Sequence, residues 1–135
     1  MIAHPAVIVH GLDDALVALR PGLPVLLLSA PGAAGFMGCL WWRALVRAAR
    51  DACPATESAD ALDCGAAPGY AMAALREGQR ILILSRTCPA FPAVCNAAAR
   101  LGAEVWPDRP PALDLARPGA AGRIGDWLRR ERWKT

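Results

Sequence analysis

The chain has 135 residues, enough for one domain with a real core and no need of disulfide or metal staples. Apolar residues make up 55% and charged residues only 20%, a balance low in charge for a soluble monomer, so a second copy is expected to cover part of the apolar surface. The net charge of +3 is unevenly spread: residues 1–116 hold nine arginines against ten acids, while 117–135 hold five arginines and Lys134 against Asp126 and Glu131. That basic end reads as a solvated last helix rather than a nucleic-acid footprint, because terminal cations favour the helix dipole and no zinc finger or aromatic–basic platform accompanies them.

In chain order, Ala6–His10 reads as a first strand and Leu12–Arg20 as a short helix, capped near Asp13 and stopped by Pro21-Gly22. His4, ahead of the first strand, reads as an unordered end residue. The uncharged run Pro21–Trp42 is the strongest feature. It matches a transmembrane span in length, but Pro31, Gly32, Gly35 and Gly38 break any helix through it, so no membrane crossing is expected. It reads instead as a strand (Val25–Ser29), a glycine-rich turn, and a long helix from Phe36 to about Ala52. The N-terminus lacks the basic region of a secretory signal, which leaves the chain in the cytoplasm.

A polar linker (Pro54–Ala59) leads to a short strand over Ala61–Cys64. Gly65–Gly69 opens a helix that runs to Glu77, with Gly78 as its stop. Ile81–Leu84 is a fourth strand, Ala90–Leu101 a helix closed by Gly102, and Glu104–Trp106 an edge strand ended by Pro107 and Pro110-Pro111. A last helix covers Ala120–Arg132. Strands alternating with helices predict a three-layer α/β fold: a mainly parallel sheet of four to five strands with helices on both faces. The domain spans 1–116, with 117–135 as a basic helix packed on it. Two sequence echoes, Ala61-Leu-Asp with Ala112-Leu-Asp and Pro-Gly-Ala-Ala-Gly at 31–35 and 118–122, are expected to be compositional.

The long helix carries a narrow polar stripe of Arg43, Arg47 and Arg50, with Phe36, Met37, Leu40, Trp41, Trp42, Leu45 and Val46 around the rest. A helix apolar nearly all round is buried on more than one side, against a homodimer partner or the C-terminal helix with Ile124, Trp127 and Leu128.

Ligands of open parallel sheets bind beyond the carboxyl ends of the strands. That rim gathers His10, Ser29, Asp63, Cys64, Ser85, Thr87 and Cys88, with the loops 30–35, 65–69 and 86–90. Two chemistries fit. In the first, Gly32, Gly35 and Gly38 shape an anion cradle before a helix; Ser29, Asp63, Gly69, Ser85 and Thr87 complete a binding site, and Asp63 stands where a ribose-binding acid would. Neither the dinucleotide fingerprint nor a P-loop lysine is present, so no cofactor is indicated. In the second, Cys64 and Cys88 precede helix N-termini, which lower thiol pKa. With His10 they would form a Cys/His pair or three zinc ligands. The five cysteines (39, 53, 64, 88 and 95) show neither C-x-x-C nor zinc-finger spacing, so a resident metal is not expected; Cys39 and Cys95 read as packing.

The run Leu28–Gly35 with Gly38–Trp42, Leu62-Asp-Cys64 and Pro68-Gly69 resembles a family of small uncharacterised bacterial α/β proteins, over the chain up to about Leu115. The resemblance implies a compact bacterial cytoplasmic domain that stands alone, and no activity. The expected function is non-catalytic binding of a small, anionic or phosphate-bearing ligand at the carboxyl edge of the sheet. The rivals are a cysteine enzyme using Cys64 or Cys88, with His10 as its partner, and an interaction module acting through the long helix and basic tail.

Overall fold

The computed structural model describes residues 4–130. Six parallel strands form the sheet: β1 (Ala6–Ile8), β2 (Val25–Leu28), β3 (Ser58–Asp63), β4 (Ile81–Ile83), β5 (Glu104–Trp106) and β6 (Ala112–Asp114), in the order β5-β4-β3-β2-β1-β6. Helices α1 (Leu12–Leu19), α2 (Ala33–Phe36), α3 (Cys39–Ala52), α4 (Pro68–Arg76), α5 (Phe91–Arg100) and α6 (Ile124–Leu128) complete a three-layer α/β fold. All four residues of β2 are buried, as a strand covered on both faces must be. Among the described residues no helix is long and apolar enough to cross a membrane.

Two compact units divide the chain. The first comprises Met1–Leu28, Ala44–Asp60 and Pro110–Thr135. Here β1 pairs with β2 on one side and β6 on the other, Val7 lying level with Leu27 and Leu113. The core is Val7, Val9, Leu19, Val25–Leu28, Leu45, Val46, Trp127 and Leu128. Trp127 donates its indole N–H to the Ala6 carbonyl at 2.8 Å, and the Arg130 guanidinium sits 4.5 Å over its ring. Arg50 ties α3 to β3 through the Ser58 hydroxyl (2.9 Å) and Asp60 (3.0 Å).

The second unit comprises Ser29–Arg43 and Ala61–Arg109. Its strands β4 and β5 run in register, Ile83 beside Trp106, with β3 on the other side of β4. The core is Trp42, Leu62, Leu75, Ile81–Leu84, Val94 and Trp106. Gly78 (φ +91°) and Gly102 (φ +71°) turn the chain after α4 and α5, as the sequence predicts.

Several boundaries move. Strand β6 is a sixth strand that follows the prolines expected to end the edge strand; Pro110 and Pro111 precede it, so neither removes a ladder donor. Strand β3 starts at Ser58, inside the expected linker. Gly38 at φ +88° splits the long helix into α2 and α3, so Phe36 and Met37 leave its surface and are exposed. What remains is amphipathic rather than apolar all round: α3 buries Trp42, Leu45, Val46 and Ala49, while Leu40 is exposed. The start of α1 is capped by backbone Gly11, not Asp13; Asp14 instead accepts the His10 N–H at 2.9 Å. His4 is not a loose end but pairs with Glu57 at 2.9 Å. The last helix is a 3-10 turn over Ala120–Arg123 followed by α6, which stops at Leu128; Arg132 and the remainder of the basic tail lie outside the described residues.

Both sequence echoes carry structure. Each Ala-Leu-Asp triplet is the end of a strand, β3 or β6. Each Pro-Gly-Ala-Ala-Gly forms a turn with its first glycine left-handed (Gly32, φ +67°; Gly119, φ +78°), and the next alanine starts a short helical segment with its side chain buried.

Candidate functional site

In the second unit, the carboxyl rim is built around a carboxylate. Asp63 ends β3, is 5% exposed, and accepts through Oδ1 from the Gly32 N–H (3.1 Å) and the Gly65 N–H (2.7 Å). Its Oδ2 takes the Arg109 Nη1 at 2.7 Å, and Arg109 Nη2 donates to the Ser29 carbonyl at 3.0 Å. The buried Ser29 hydroxyl accepts the Asp63 N–H at 2.9 Å and donates to the Ala30 carbonyl at 3.1 Å. Thus Ser29, Gly32 and Asp63 do converge, but on one another. The left-handed glycines Gly32 and Gly65 aim amides at an anion, and that anion is Asp63 itself.

The other predicted rim residues serve local structure. Gly35 lets α2 approach α4: a Cβ there would lie 3.2 Å from the Tyr70 ring. Gly69, in the first turn of α4, faces open space. Ser85 and Thr87 form a hydroxyl turn after β4, their oxygens 2.8 Å apart, with the Ser85 hydroxyl accepting the Thr87 N–H at 3.2 Å. Cys64 and Cys88 are both buried. Burial, then the neighbouring charge of Asp63 and that of Cys39, push the Cys64 thiol up to about 12. This reverses the thiolate expected at a helix start, because desolvation of the anion outweighs the backbone dipoles. Cys39 is half-buried at the start of α3 and Cys95 half-buried in α5. Among the described residues no group of three or more His, Cys, Asp or Glu side chains is arranged to hold a metal ion.

In the first unit, the rim carries a different chemistry. Strands β1 to β5 step steadily outward in the sheet, and β6 then lies on the opposite side of β1, so the order reverses between β1 and β6. Such a switch point leaves a crevice beyond the strand ends. His10, two residues past β1, lies there with Nε2 2.7 Å from Oδ1 of Asp114, the last residue of β6. Asp114 Oδ1 also accepts the Ala116 N–H at 2.9 Å. Desolvation opposes ionisation of Asp114, but the hydrogen bonds from His10 and Ala116 and the charges of His10 and Arg117 outweigh it, holding the carboxyl below its usual range.

Beside this pair is a cavity of about 530 Å3, bounded by Ile8 and β6 and ringed by Arg117, Arg123 and Arg130, with Asp114, Asp126 and Trp127. A second hollow of about 350 Å3 is lined by His10 to Asp14. Of the crevice only His10 was singled out as a site residue from the sequence. The signals for the rest were present: the Ala112-Leu-Asp114 echo of β3, and the arginine-rich stretch read as a solvated helix. The chain matches no protein-family model and no curated protein sequence.

Proposed function

We propose that this protein binds a small anionic ligand, bearing phosphate or clustered carboxylate groups, in the crevice between the carboxyl ends of β1 and β6. The observation that carries the reading is the convergence of Arg117, Arg123 and Arg130 on one cavity of about 530 Å3. That volume suits a small molecule. Guanidinium groups are the side chains best matched to oxyanions, since each donates two parallel hydrogen bonds. The glycine loop at Gly32 is a weaker candidate, because Asp63 already takes its amide.

The cavity lining holds no serine, threonine, cysteine or lysine, and its acidic side chains are Asp114 and Asp126. One feature favours a phosphate over an aromatic base. Trp127 is buried and its ring carries Arg130, which leaves no open aromatic platform for stacking.

Pyrophosphate titration by calorimetry and thermal shift tests this. Saturation at about 100 times the dissociation constant adds roughly 2.7 kcal/mol of stability. Arg117→Ala, Arg123→Ala and Arg130→Ala should each weaken binding by about tenfold or more, the loss of a charge-assisted hydrogen bond. Gly32→Ala should leave it unchanged. Absence of binding, or binding lost only in the Gly32 variant, overturns the reading.

A further inference from the structure

Asp114 belongs to two environments at once. The residue lines the arginine crevice, and its Oδ1 is held 2.7 Å from His10 Nε2. An anion entering the crevice therefore meets three guanidinium groups and also two carboxylates, Asp114 and Asp126. Resting on the anion-binding reading above, we infer that occupancy of the crevice is proton-coupled through His10: protonation of the imidazole offsets the Asp114 charge and admits the anion.

The geometry supplies each element of the coupling. His10 and Asp114 side chains are 36% and 31% exposed, so the pair exchanges protons freely with solvent while remaining in contact. Histidine is the side chain whose ordinary titration changes its charge between about pH 5 and 8. The charged groups around it are few. Asp114 faces it from β6; Asp13 and Asp14 face it from α1, Asp14 through the His10 N–H; Arg117 acts on Asp114 from the segment after β6. Arg123, Asp126 and Arg130 complete the crevice itself. With the imidazole neutral, Asp114 keeps its full charge toward the ligand; with it protonated, the site gains one positive charge. Linkage then requires the reverse effect, that a bound anion holds the proton on His10.

Sulfate is the probe, because it stays a dianion throughout this range whereas phosphate itself titrates. The full chain should bind sulfate more tightly at about pH 5.5 than at about pH 8, by roughly five- to tenfold, the effect of one added charge several ångströms from a dianion near the surface. His10→Gln, which keeps a donor toward Asp114 but cannot titrate there, should bind at the weaker level at both pH values. Asp114→Asn should bind at about pH 8 at roughly the level the full chain reaches at about pH 5.5, and no more weakly at that lower pH. The chain has two histidines. His4→Gln, which alters the Glu57 pair, should retain the wild-type slope. The imidazole titration of His10, followed by NMR, should move to higher pH on adding sulfate. Binding that is measurable but equally tight at both pH values overturns the coupling and leaves the anion site standing. A slope that survives His10→Gln and vanishes in His4→Gln also overturns it. No sulfate or pyrophosphate binding at any pH overturns the anion reading and the coupling with it.

Discussion

Arg109 closes a clasp on Asp63: its Nη1 donates to the carboxylate at 2.7 Å while its Nη2 holds the Ser29 carbonyl at 3.0 Å. The two side chains are not equally committed, the arginine being 24% exposed and the aspartate 7%. Asp63 also satisfies two loop amides, so its removal strands three half-buried donors, whereas removal of Arg109 leaves the carboxylate two of its partners. Asp63→Ala should therefore cost about 3–5 kcal/mol of stability, and Arg109→Ala about 1–3 kcal/mol. Urea denaturation of the two variants checks the order; equal costs would show that the loop amides contribute nothing beyond the ion pair.

The glycines divide by mechanism. Gly32 and Gly65 are left-handed, at φ +67° and +60°, and a side chain at either is strained even where space is open. Gly32→Ala and Gly65→Ala should each lose about 1–2 kcal/mol. Gly35 has ordinary backbone, and its obstacle is the Tyr70 ring, 3.2 Å from the added Cβ. Tyr70 is half exposed and can swing aside. Gly35→Ala should then cost less than about 1 kcal/mol, and nothing measurable in a Tyr70→Ala background. A large loss in that background would point to the backbone instead.

The sheet was legible where strands are apolar and bounded by turns. Val25–Leu28 and Ile81–Ile83 could hardly be read otherwise, since buried parallel strands need continuous apolar runs. Ala112–Asp114 could not be read the same way: three half-buried residues behind two prolines carry almost no pattern. The Gly38 break was hidden because Phe36, Met37 and Leu40 sustain a helical apolar period across it. At the rim, residue types were legible and partners were not. Asp63 was visible as a strand-end acid, but Arg109 lies 46 positions away, and Asp114 is 104 positions from His10. Pairings at such separations follow from strand order, which local periodicity does not encode.

Asp114 gives the acid limb a marker. Its folded carboxyl titrates below the unfolded value of 3.8, so its contribution to stability is present above that value and fades as the pH falls through the folded one. The side chain is substantially solvent-exposed, so the effect on total stability is small and the direct readout is the better one. Carboxyl NMR should place the Asp114 midpoint below 3.8, and His10→Ala should raise it by removing both the hydrogen bond and the charge. An unchanged midpoint would assign the shift to the Ala116 N–H and the Arg117 charge.

Cys64 gives the alkaline limb the opposite sign. Burial lifts its thiol from 9.0 to about 12, so the folded state holds a proton that the unfolded chain releases. The stabilisation is complete below about pH 9 and is lost as the pH rises toward 12, with a slope approaching about 1.4 kcal/mol per pH unit between them. Cys64→Ala should flatten that limb. The same burial makes a kinetic prediction at neutral pH. Iodoacetamide should modify Cys39, Cys53 and Cys95, which are half-buried, well before Cys64 and Cys88, which should react only as the protein unfolds. Peptide mass spectrometry after brief labelling distinguishes the outcomes. Fast, stoichiometric modification of Cys64 in the folded protein would mean that its thiolate is accessible after all, and a cysteine-dependent activity would then displace binding as the leading account of the rim.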